Sequence, residues 1–341
     1  MRPLIALALL LTVSACLFGK EPDVVRLSGE TMGTTFNITA IGDDLDEAAL
    51  GQAVQETLAQ VNAKMSNWDP KSEVSTFSAS GSTDPMQVSD EFAFVIEAAN
   101  EVHEKSGGTF DVTLGPLIEL WGFGPRKPED PIPADDEIAT ALGQVGQARL
   151  LDLDRGAGTL AKSEAGVGIN LSAIAKGYGI DAVAAQLREA GIENYMVEIG
   201  GDLVTMGEND KGESWRIGIE KPETGAQSIQ LIVPLDNLGM ATSGDYKNFF
   251  EQDGVRYSHI IDPTTGRPIT HRTTSVTVIA DNAMMADAWA TAMLALGLEK
   301  GLELAEEHKL AVFFISRDVT SGEEAYITVQ SSAFKDALGT N

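Results

Sequence analysis

The chain has almost no cysteine. Cys16 is the only one among 341 residues, and there are four histidines. A single cysteine excludes a disulfide framework and leaves no thiol for catalysis elsewhere in the chain. Four scattered histidines beside one cysteine also argue against a zinc site, because zinc takes most of its protein ligands from these two residue types.

Positive charge is scarce as well. The sequence holds 24 Lys and Arg residues against 51 Asp and Glu residues, which gives a formal net charge of −27 at pH 7. Such a surface repels phosphate backbones and anionic lipid headgroups, so we do not expect nucleic-acid binding. The same acidity is also a common means of keeping a protein soluble.

The common nucleotide and hydrolase motifs are missing. The sequence has no G-x-x-x-x-G-K-[ST], no G-x-S-x-G and no H-E-x-x-H string. The nearest dinucleotide-like string, at 156–158, does not follow a convincing strand. These absences exclude a P-loop, a nucleophile-elbow hydrolase and an HExxH metalloprotease.

No hydrophobic run is long enough to span a bilayer as a mature helix. The apolar run from Leu4 to Leu11 follows Arg2 and precedes small residues, which is the form of a secretory signal peptide. The string "VSAC" ending at Cys16 resembles a bacterial lipobox, in which the peptide is cut before a cysteine that is then lipidated. The alternative is an ordinary signal peptide with an incidental cysteine.

We therefore expect a signal peptide over 1–15, a lipidated Cys16 with a tether over 16–25, and one domain over 26–336. This predicts a lipid-anchored protein on the periplasmic side of the cell envelope. Leu17 stands where an inner-membrane lipoprotein more often carries Asp, which favours the outer over the inner membrane.

Hydrophobic periodicity predicts a mixture of helices and strands. Residues 45–65, 90–105 and 283–296 have helical spacing, and a further helix is expected between 296 and the strand at 310. A strand at 169–171 is expected to lead into a helix that ends at Gly191. Alternating segments predict strands at 24–42, 195–207, 215–220, 228–235, 257–261, 274–280 and 310–316. The Pro-rich stretch 124–137 is expected to be a surface loop before a short helix. Because the elements lack regular β-α alternation, we expect an α+β fold.

One pair of residues could bind a hard cation. Asp287 and Thr291 are four residues apart in an apolar helical segment, which places a carboxylate and a hydroxyl on one face. Mg²⁺ takes oxygen ligands, often one or two carboxylates together with waters and substrate phosphate. An unpaired carboxylate among apolar residues is costly, so this position favours a functional interpretation.

Two further segments could approach a nucleotide. Lys176 lies near a predicted helix start, where free N–H groups and a lysine can bind phosphate, although a surface lysine is equally compatible with the spacing. The segment 107–124 is dense in glycine and aromatic residues and could approach a flat ligand; the alternative is a glycine-rich core loop.

Eight strings together resemble the ApbE family of FAD:protein FMN transferases. They occur in the family's order over roughly residues 28 to 300, and they are "GETMGTTFNI", "MSNWDPKSEVSTFS", "GGTFDVTLGPLIELWGFG", "NLSAIAKGYGID", "VEIGGDL", "ATSGDYKNFF", "YSHIIDPTTGRPI" and "ADAWATAMLALG". The resemblance implies mixed sheets with packed helices in two intimately joined halves, with the FAD site between them.

The resemblance also implies a reaction. FAD binds with Mg²⁺, a threonine hydroxyl of a partner flavoprotein attacks the FMN-side phosphorus, and AMP leaves, which is a covalent flavinylation. The acceptors in the family are redox subunits, such as those of Na⁺-translocating NADH:quinone reductases and Rnf-type complexes. Phosphoryl-group transfer depends mainly on positioning and charge stabilisation, which fits a site with few reactive side chains.

The site residues follow from the resemblance, position by position. Asp287, Thr291 and the carbonyl of Ala173 match the family's metal ligands. Positions that hold FAD are matched by Met32, Asn67, Trp68, Thr109, Phe110, Asp111, Asn170, Lys176 and Ile260.

His259 is the candidate catalytic base. As a neutral imidazole beside the pyrophosphate it could take the proton of the incoming threonine, which typically contributes about 10²–10⁴-fold to a rate. The turn 262–266 would fix the direction of the ring. The rival role is structural, with His259 bonded to a core group.

Alternatives remain open at the sequence level. Asn170 stands where the family usually has Asp, which brings no charge and could loosen Mg²⁺ or alter a flavin contact. Water in place of threonine would make the enzyme a pyrophosphatase that yields FMN and AMP. A non-catalytic FAD-binding lipoprotein is the remaining alternative, and the Asp287 and Thr291 pair argues against it.

Overall fold

The structure is a computed structural model that describes residues 22–123, 132–223, 228–246, 248–318, 320 and 325–339. The predicted signal peptide and Cys16 lie outside these ranges. Within them, no helix has both the length and the apolar character needed to cross a membrane.

Seventeen strands and nine helices occur in the described ranges. The strands are β1 (Asp23–Thr31), β2 (Thr34–Gly42), β3 (Met86–Gln87), β4 (Leu151–Asp154), β5 (Thr159–Lys162), β6 (Asn194–Ile199), β7 (Asp202–Met206), β8 (Trp215–Glu220), β9 (Ile229–Leu235), β10 (Gly239–Gly244), β11 (Phe249–Gln252), β12 (Val255–Ser258), β13 (Ile261–Asp262), β14 (Arg267–Pro268), β15 (Thr273–Ala280), β16 (Ala311–Asp318) and β17 (Ala325–Gln330). The helices are α1 (Glu47–Met65), α2 (Glu73–Ala79), α3 (Asp90–Lys105), α4 (Gly115–Leu120), α5 (Asp135–Leu142), α6 (Gln147–Leu150), α7 (Ala175–Glu189), α8 (Ala283–His308) and α9 (Ser332–Ala337).

An eight-stranded sheet organises the chain. Its strand order is β1-β2-β6-β7-β10-β15-β16-β17, and every neighbouring pair is antiparallel. The remaining strands form a three-stranded sheet (β3-β5-β4) and three two-stranded ribbons (β8-β9, β11-β12 and β13-β14). Mixed helices and antiparallel strands confirm the expected α+β class.

Apolar clusters pack on both faces of the large sheet. On one face, Phe36 and Ile38 of β2 pack in an apolar cluster with Leu58 of α1 and Val183 of α7. On the other face, residues such as Leu203 of β7 and Met240 of β10 pack in a cluster with Trp215 of the β8-β9 ribbon and with α9. The alternation along each strand therefore places α7 directly on the sheet, and α8 contacts β10 and β15 beside it.

The largest apolar cluster joins both parts of the chain. It contains Phe92 and Ile96 of α3 together with Trp289 and Met293 of α8 and Val276 of β15. The two halves expected from the sequence thus share one core.

Most predicted elements are present, and several boundaries need correction. The helix predicted over 90–105 has those bounds, while β1 begins at Asp23, three residues inside the range predicted as a tether. The strand predicted at 169–171 is wrong, because these residues lie in an irregular segment before α7. The helix predicted over 283–296 and the further helix predicted after it are both present as the two parts of α8, which runs to His308 and is interrupted at Gly297 by a φ of 75°.

The predicted loop 124–137 falls partly outside the described residues, which exclude 124–131. The helix α5 already begins at Asp135, inside that range. The strand predicted over 257–261 is also wrong in part, since β12 ends at Ser258 and His259 lies in a bend between β12 and β13.

Candidate functional site

The site is built on a close crossing of α7 and α8. A Cβ atom at Gly177 would lie 2.6 Å from Met284 Cα and closer still to the Ala283 carbonyl oxygen, so only glycine permits this approach. One turn further along α7, Asp181 accepts hydrogen bonds from the N–H groups of Ala283 (2.9 Å) and Met284 (2.8 Å). Asp181 therefore caps the N-terminus of α8.

The crossing buries Asp287 against the start of α7. Asp287 is only 4% exposed, and its Oδ2 accepts a hydrogen bond from the Gly177 N–H at 3.0 Å. In a continuous helix that N–H would pair with the carbonyl four residues earlier, which is Ala173. Because Asp287 accepts this N–H, the carbonyl of Ala173, which lies just before the start of α7 at Ala175, receives no hydrogen bond from any described residue.

Thr291 lies one turn after Asp287 and faces β10. Its Oγ1 is 3.1 Å from Ser243 Oγ, and either hydroxyl can donate. The side chains of Asp287 and Thr291 share a helix face, as their spacing predicts. The structure thus brings a carboxylate and a hydroxyl of α8 beside the unpaired carbonyl end of the segment before α7.

A buried ion pair lies beside this carboxylate. Lys176 Nζ is 2.6 Å from Oδ2 of Asp202, and Asp202 is only 1% exposed. The second oxygen of Asp202 accepts the Thr242 N–H at 3.0 Å. Desolvation alone lowers the pKa of Lys176, but the negative charges of Asp202, Asp287 and Glu198 outweigh it and raise that pKa, so the lysine is charged.

Burial also raises the pKa of Asp287. The nearby charge of Asp202 acts in the same direction, while Lys176 and the hydrogen bond from Gly177 oppose it. An ionised carboxylate in this position is therefore costly unless a cation shares the site.

His259 is held by Asn248, the last residue of the connection between β10 and β11. Its Nδ1 lies 2.9 Å from the carbonyl oxygen of Asn248, and its backbone N–H donates to the same oxygen at 3.2 Å. Because a carbonyl can only accept, Nδ1 carries the hydrogen and Nε2 has a free lone pair in the neutral ring. Phe123 contacts the ring edge-on, with centroids 6.2 Å apart, and burial lowers the pKa of His259.

The segment 109–111 is fixed from inside the protein. Asp111 Oδ1 accepts the N–H and the hydroxyl of Thr113, and its Oδ2 accepts the Gln147 N–H at 2.9 Å. The carbonyl of Phe110 accepts a hydrogen bond from Nδ1 of His103 at 2.7 Å. The Asp111 carboxylate is thus occupied in shaping this loop, and a contact of the segment with a ligand would fall to other atoms.

Asn67 performs a similar task for the segment before α7. Its amide donates to the Ile169 carbonyl at 2.6 Å and accepts from the Leu171 N–H at 2.8 Å. The Asn67 side chain therefore makes the hydrogen bonds to these backbone groups that a neighbouring strand would otherwise make. Trp68, the next residue, is 79% exposed and leaves its ring available for stacking.

Asn170 connects the two segments. Its N–H donates to the Val112 carbonyl at 2.7 Å, and its Oδ1 accepts the N–H (3.0 Å) and the hydroxyl (2.6 Å) of Ser172. An aspartate could make the same two contacts through one oxygen, so the local turn does not depend on the charge that Asn170 lacks.

Met32 and Ile260 lie at the margins of the site. Met32 occupies the β1-β2 turn with a φ of 50°, a left-handed conformation that side chains rarely adopt, and its methyl group packs on Gly179 of α7. Ile260 is buried, and its N–H and carbonyl are taken by Ser258 Oγ (3.1 Å) and the Ile269 N–H (3.0 Å).

The predicted residues therefore form two connected groups. Ala173, Lys176, Asp287 and Thr291 meet at the helix crossing, while Asn67, Asn170 and the segment 109–111 surround the irregular segment that leads into it. No hydrogen bond or ring contact among the described residues joins His259 to either group.

Several residues of the site were not identified from the sequence. Asp202 and Ser243 lie inside resemblance strings, and Gly177 and Asp181 lie inside another, but none was singled out. A charged residue directly before the apolar run "LVTM" was a usable signal for Asp202, because a carboxylate is seldom buried without a partner.

Fold and site together define an α+β protein with a polar site at a helix crossing, where the Asp287 carboxylate, the Thr291 hydroxyl and the Ala173 carbonyl lie beside the ion pair of Lys176 and Asp202. The ApbE family model matches residues 32–314. The chain belongs to the ApbE family, which confirms the resemblance found in the sequence.

Relatives agree over nearly the full length. The FAD:protein FMN transferase of Haemophilus influenzae is 40% identical over 343 residues, covering 99% of this chain and 97% of that protein. The protein of the same name from Vibrio cholerae is 42% identical, with 98% of each chain covered. The expectation that this chain resembles an enzyme of that class is confirmed.

Solved structures share the fold. The flavin transferase ApbE from Vibrio cholerae, in a histidine-to-glycine variant, matches with a TM-score of 0.83 and 42% identity, covering 93% of this chain and 100% of that chain. The apo form of Pseudomonas stutzeri flavinyl transferase ApbE gives a TM-score of 0.84 at 36% identity, covering 94% of this chain and 98% of that chain.

Proposed function

We propose that the protein transfers FMN from FAD to a threonine hydroxyl of a partner flavoprotein, with Mg²⁺ bound and AMP released. Membership of the ApbE family supports this proposal. The observation that carries it is the bond between Gly177 N–H and Asp287, which occupies the donor that would otherwise pair with the Ala173 carbonyl.

The residues at the crossing fit Mg²⁺. Asp287 Oδ1 and the Ala173 carbonyl receive no hydrogen bond from a described residue, and Thr291 adds a hydroxyl oxygen. No group of three or more His, Cys, Asp or Glu side chains suited to a metal occurs in the ranges that the structure describes. Mg²⁺ does not need one, because it commonly binds one or two carboxylates and completes its six ligands with water and phosphate.

When bound, Mg²⁺ supplies positive charge against the pyrophosphate of FAD and the leaving AMP. The protein supplies the positions of its ligands. Gly177 and Asp181 fix the crossing, so Asp287 and Ala173 hold their relative places before substrate binds.

His259 acts as the base in this proposal. The Asn248 carbonyl orients Nδ1–H, so Nε2 accepts the proton of the threonine hydroxyl. The threonine oxygen then forms a bond to the FMN-side phosphorus, and the bond from that phosphorus to the oxygen of AMP breaks. The lowered pKa keeps the ring neutral and able to accept the proton at neutral pH.

Several of the remaining predicted residues would bind FAD. The exposed ring of Trp68 can stack on the flavin or the adenine. Asn170 lies in the segment that leads into α7, its N–H is bonded to the Val112 carbonyl just after 109–111, and Met32 packs on α7 at Gly179. The pyrophosphate would lie near the start of this helix.

We further propose that the protein acts at the periplasmic side of the envelope through a lipid on Cys16. Its acceptors would be redox-complex subunits that carry a target threonine, of the Na⁺-translocating NADH:quinone reductase or Rnf type. The lipobox-like string and the apolar run before it support the anchor.

The test is the intact mass of an acceptor domain incubated with the protein, FAD and MgCl₂. A gain equal to FMN that is lost on chelation is the expected result. Free FMN and AMP without a gain would indicate a pyrophosphatase instead. Intact FAD with a competent acceptor would indicate a carrier and overturn the proposal.

Replacing the carboxylate sharpens this test. Asp287→Ala should abolish AMP release while some FAD binding remains. Asp210→Asn is the matched control, because it removes one negative charge from an exposed pair with Arg26. Full activity in Asp287→Ala would remove Asp287 from the metal site.

A further inference from the structure

Asp202 and Lys176 form a buried ion pair, and the proposed reaction assigns no step to either residue. Lys176 was expected to bind phosphate, but its Nζ is bonded to Asp202 at 2.6 Å. Lys176 directly precedes Gly177, whose N–H donates to Asp287 Oδ2 at 3.0 Å, so the pair lies beside that carboxylate. Its charges therefore act on the cation site whether or not substrate is present.

The local backbone is arranged around this pair. The turn between β6 and β7 consists of Gly200 and Gly201, with φ values of 59° and 96°. A Cβ atom on Gly200 would lie 3.4 Å from Lys176 Cδ and 2.8 Å from Thr34 Cγ2, so the turn leaves room for the lysine stem. The two glycines therefore form the turn and also leave space for the Lys176 side chain to reach Asp202.

The Asp202 side chain also takes the place of one hydrogen bond between the strands β7 and β10. The strands β7 and β10 pair only through Val204 with Gly239 and Leu203 with Met240. At the next position the carboxylate of Asp202 accepts the Thr242 N–H in place of a strand carbonyl. Because Ser243 follows Thr242 and contacts Thr291, this bond fixes the strand residue that faces the candidate metal ligand.

We propose that Asp202 and Lys176 set the charge and geometry of the cation site. Lys176 offsets the negative charge of Asp202 next to Asp287, and Asp202 holds both the lysine and the end of β10. Asp202 is a positioning residue, since it contacts no ligand of the proposed site directly. This inference rests on the proposed function.

The charge argument gives variants with opposite expected effects. Asp202→Asn keeps an oxygen for the Thr242 N–H but leaves the charge of Lys176 unbalanced, so Mg²⁺ should bind about tenfold more weakly. Lys176→Met keeps the Asp202 bond to Thr242 and removes a positive charge, so Mg²⁺ should bind about tenfold more tightly. A tenfold change corresponds to about 1.4 kcal/mol. The double variant restores the net charge and should return toward the native affinity.

The experiment follows thermal unfolding of the full-length protein over a MgCl₂ titration, with and without FAD. The dependence of the unfolding temperature on MgCl₂ gives the metal affinity independently of activity. Asp210→Asn, with the same charge change in an exposed pair, should bind Mg²⁺ as the native protein does.

Opposite shifts in the two single variants, with partial reversal in the double variant, would support the inference. A purely structural role predicts lower unfolding temperatures without opposite shifts in metal affinity, and that result would overturn it while leaving the proposed function intact. If the native protein showed neither a response to MgCl₂ nor FMN transfer, the proposed function would fail as well. Should Asp202→Asn not fold, Lys176→Met alone still decides, since unchanged or weaker Mg²⁺ binding contradicts the inference.

Discussion

Replacing Gly177 with alanine tests the helix crossing directly. The new Cβ atom would lie 2.6 Å from Met284 Cα, whereas carbon atoms in contact are ordinarily about 3.5–4.0 Å apart. Neither backbone can rotate away as a side chain can, so α7 and α8 must separate by about 1 Å. The 3.0 Å bond from Gly177 N–H to Asp287 would then exceed hydrogen-bond length.

The expected loss of stability is about 3 kcal/mol. Overpacking of this kind costs about 2–3 kcal/mol. Loss of a hydrogen bond to a charged acceptor adds about 1.5 kcal/mol, and the higher helix propensity of alanine returns about 1 kcal/mol. The free energy of unfolding, measured by tryptophan fluorescence in urea, tests this value.

Gly179→Ala is the matched control on the same helix. It adds the same methyl group and the same helix propensity, but its Cβ atom meets only the flexible end of Met32, at 2.6 Å. We expect its stability within about 1 kcal/mol of the native protein. Equal stability and equal FMN transfer in the two variants would refute the argument that close contact of α7 and α8 builds the site.

Three further predictions concern single side chains. Burial raises the pKa of Asp181 to about 6 from 3.8, so its protonated form stabilises the fold at low pH and this contribution is lost as the pH rises from about 4 to 6. Relative to Asp181→Asn, the native protein should lose about 3 kcal/mol of unfolding free energy across that range. A difference between the two proteins that stays constant with pH would contradict this prediction. His259→Ala should slow transfer more than it weakens FAD binding, and the acid limb of the native rate profile should lie below the usual pKa of 6.5; an unchanged rate would leave a structural role. Lys162 is buried and donates to the carbonyls of Ser78 (2.9 Å), Phe77 (3.2 Å) and Val167 (3.0 Å). Lys162→Met should therefore lower the free energy of unfolding in urea by about 1–3 kcal/mol. No loss would show that these hydrogen bonds do not stabilise the fold.

Elements with complete local signals were predicted well. The helix α3 has its predicted bounds because Ser89 caps its first turn and the glycines at 107 and 108, both with positive φ, follow its end. Its buried residues repeat at helical spacing, so the sequence contains the start, the stop and the inner face.

Features that depend on distant partners were missed. The segment 169–171 has the apolar character of a strand, but the side chain of Asn67, about a hundred residues earlier, takes its backbone groups. The strand before His259 ends early because its partner in the ribbon, β11, begins at Phe249, which pairs with Ser258. Neither partner can be read from the local sequence.

The candidate site was found in part for the same reason. Asp287 and Thr291 share a helix, so their spacing alone places them together. Asp202 comes from another strand and Ser243 from a third, and only the folded sheet brings them to the crossing. The resemblance to a family identified residues that the spacing could not connect.

The bond between Gly177 and Asp287 also bears on the order of assembly. The two residues are 110 positions apart, and closing so long a loop comes late, after the local hairpins and helices have formed. Until α8 has docked on α7, the Gly177 N–H has no carboxylate to reach, and the neighbouring carbonyl and hydroxyl have no common centre. A growing chain or a fragment that ends before α8 therefore lacks the carboxylate and the hydroxyl of this site, and the capacity to gather a cation arrives only when α8 docks on α7.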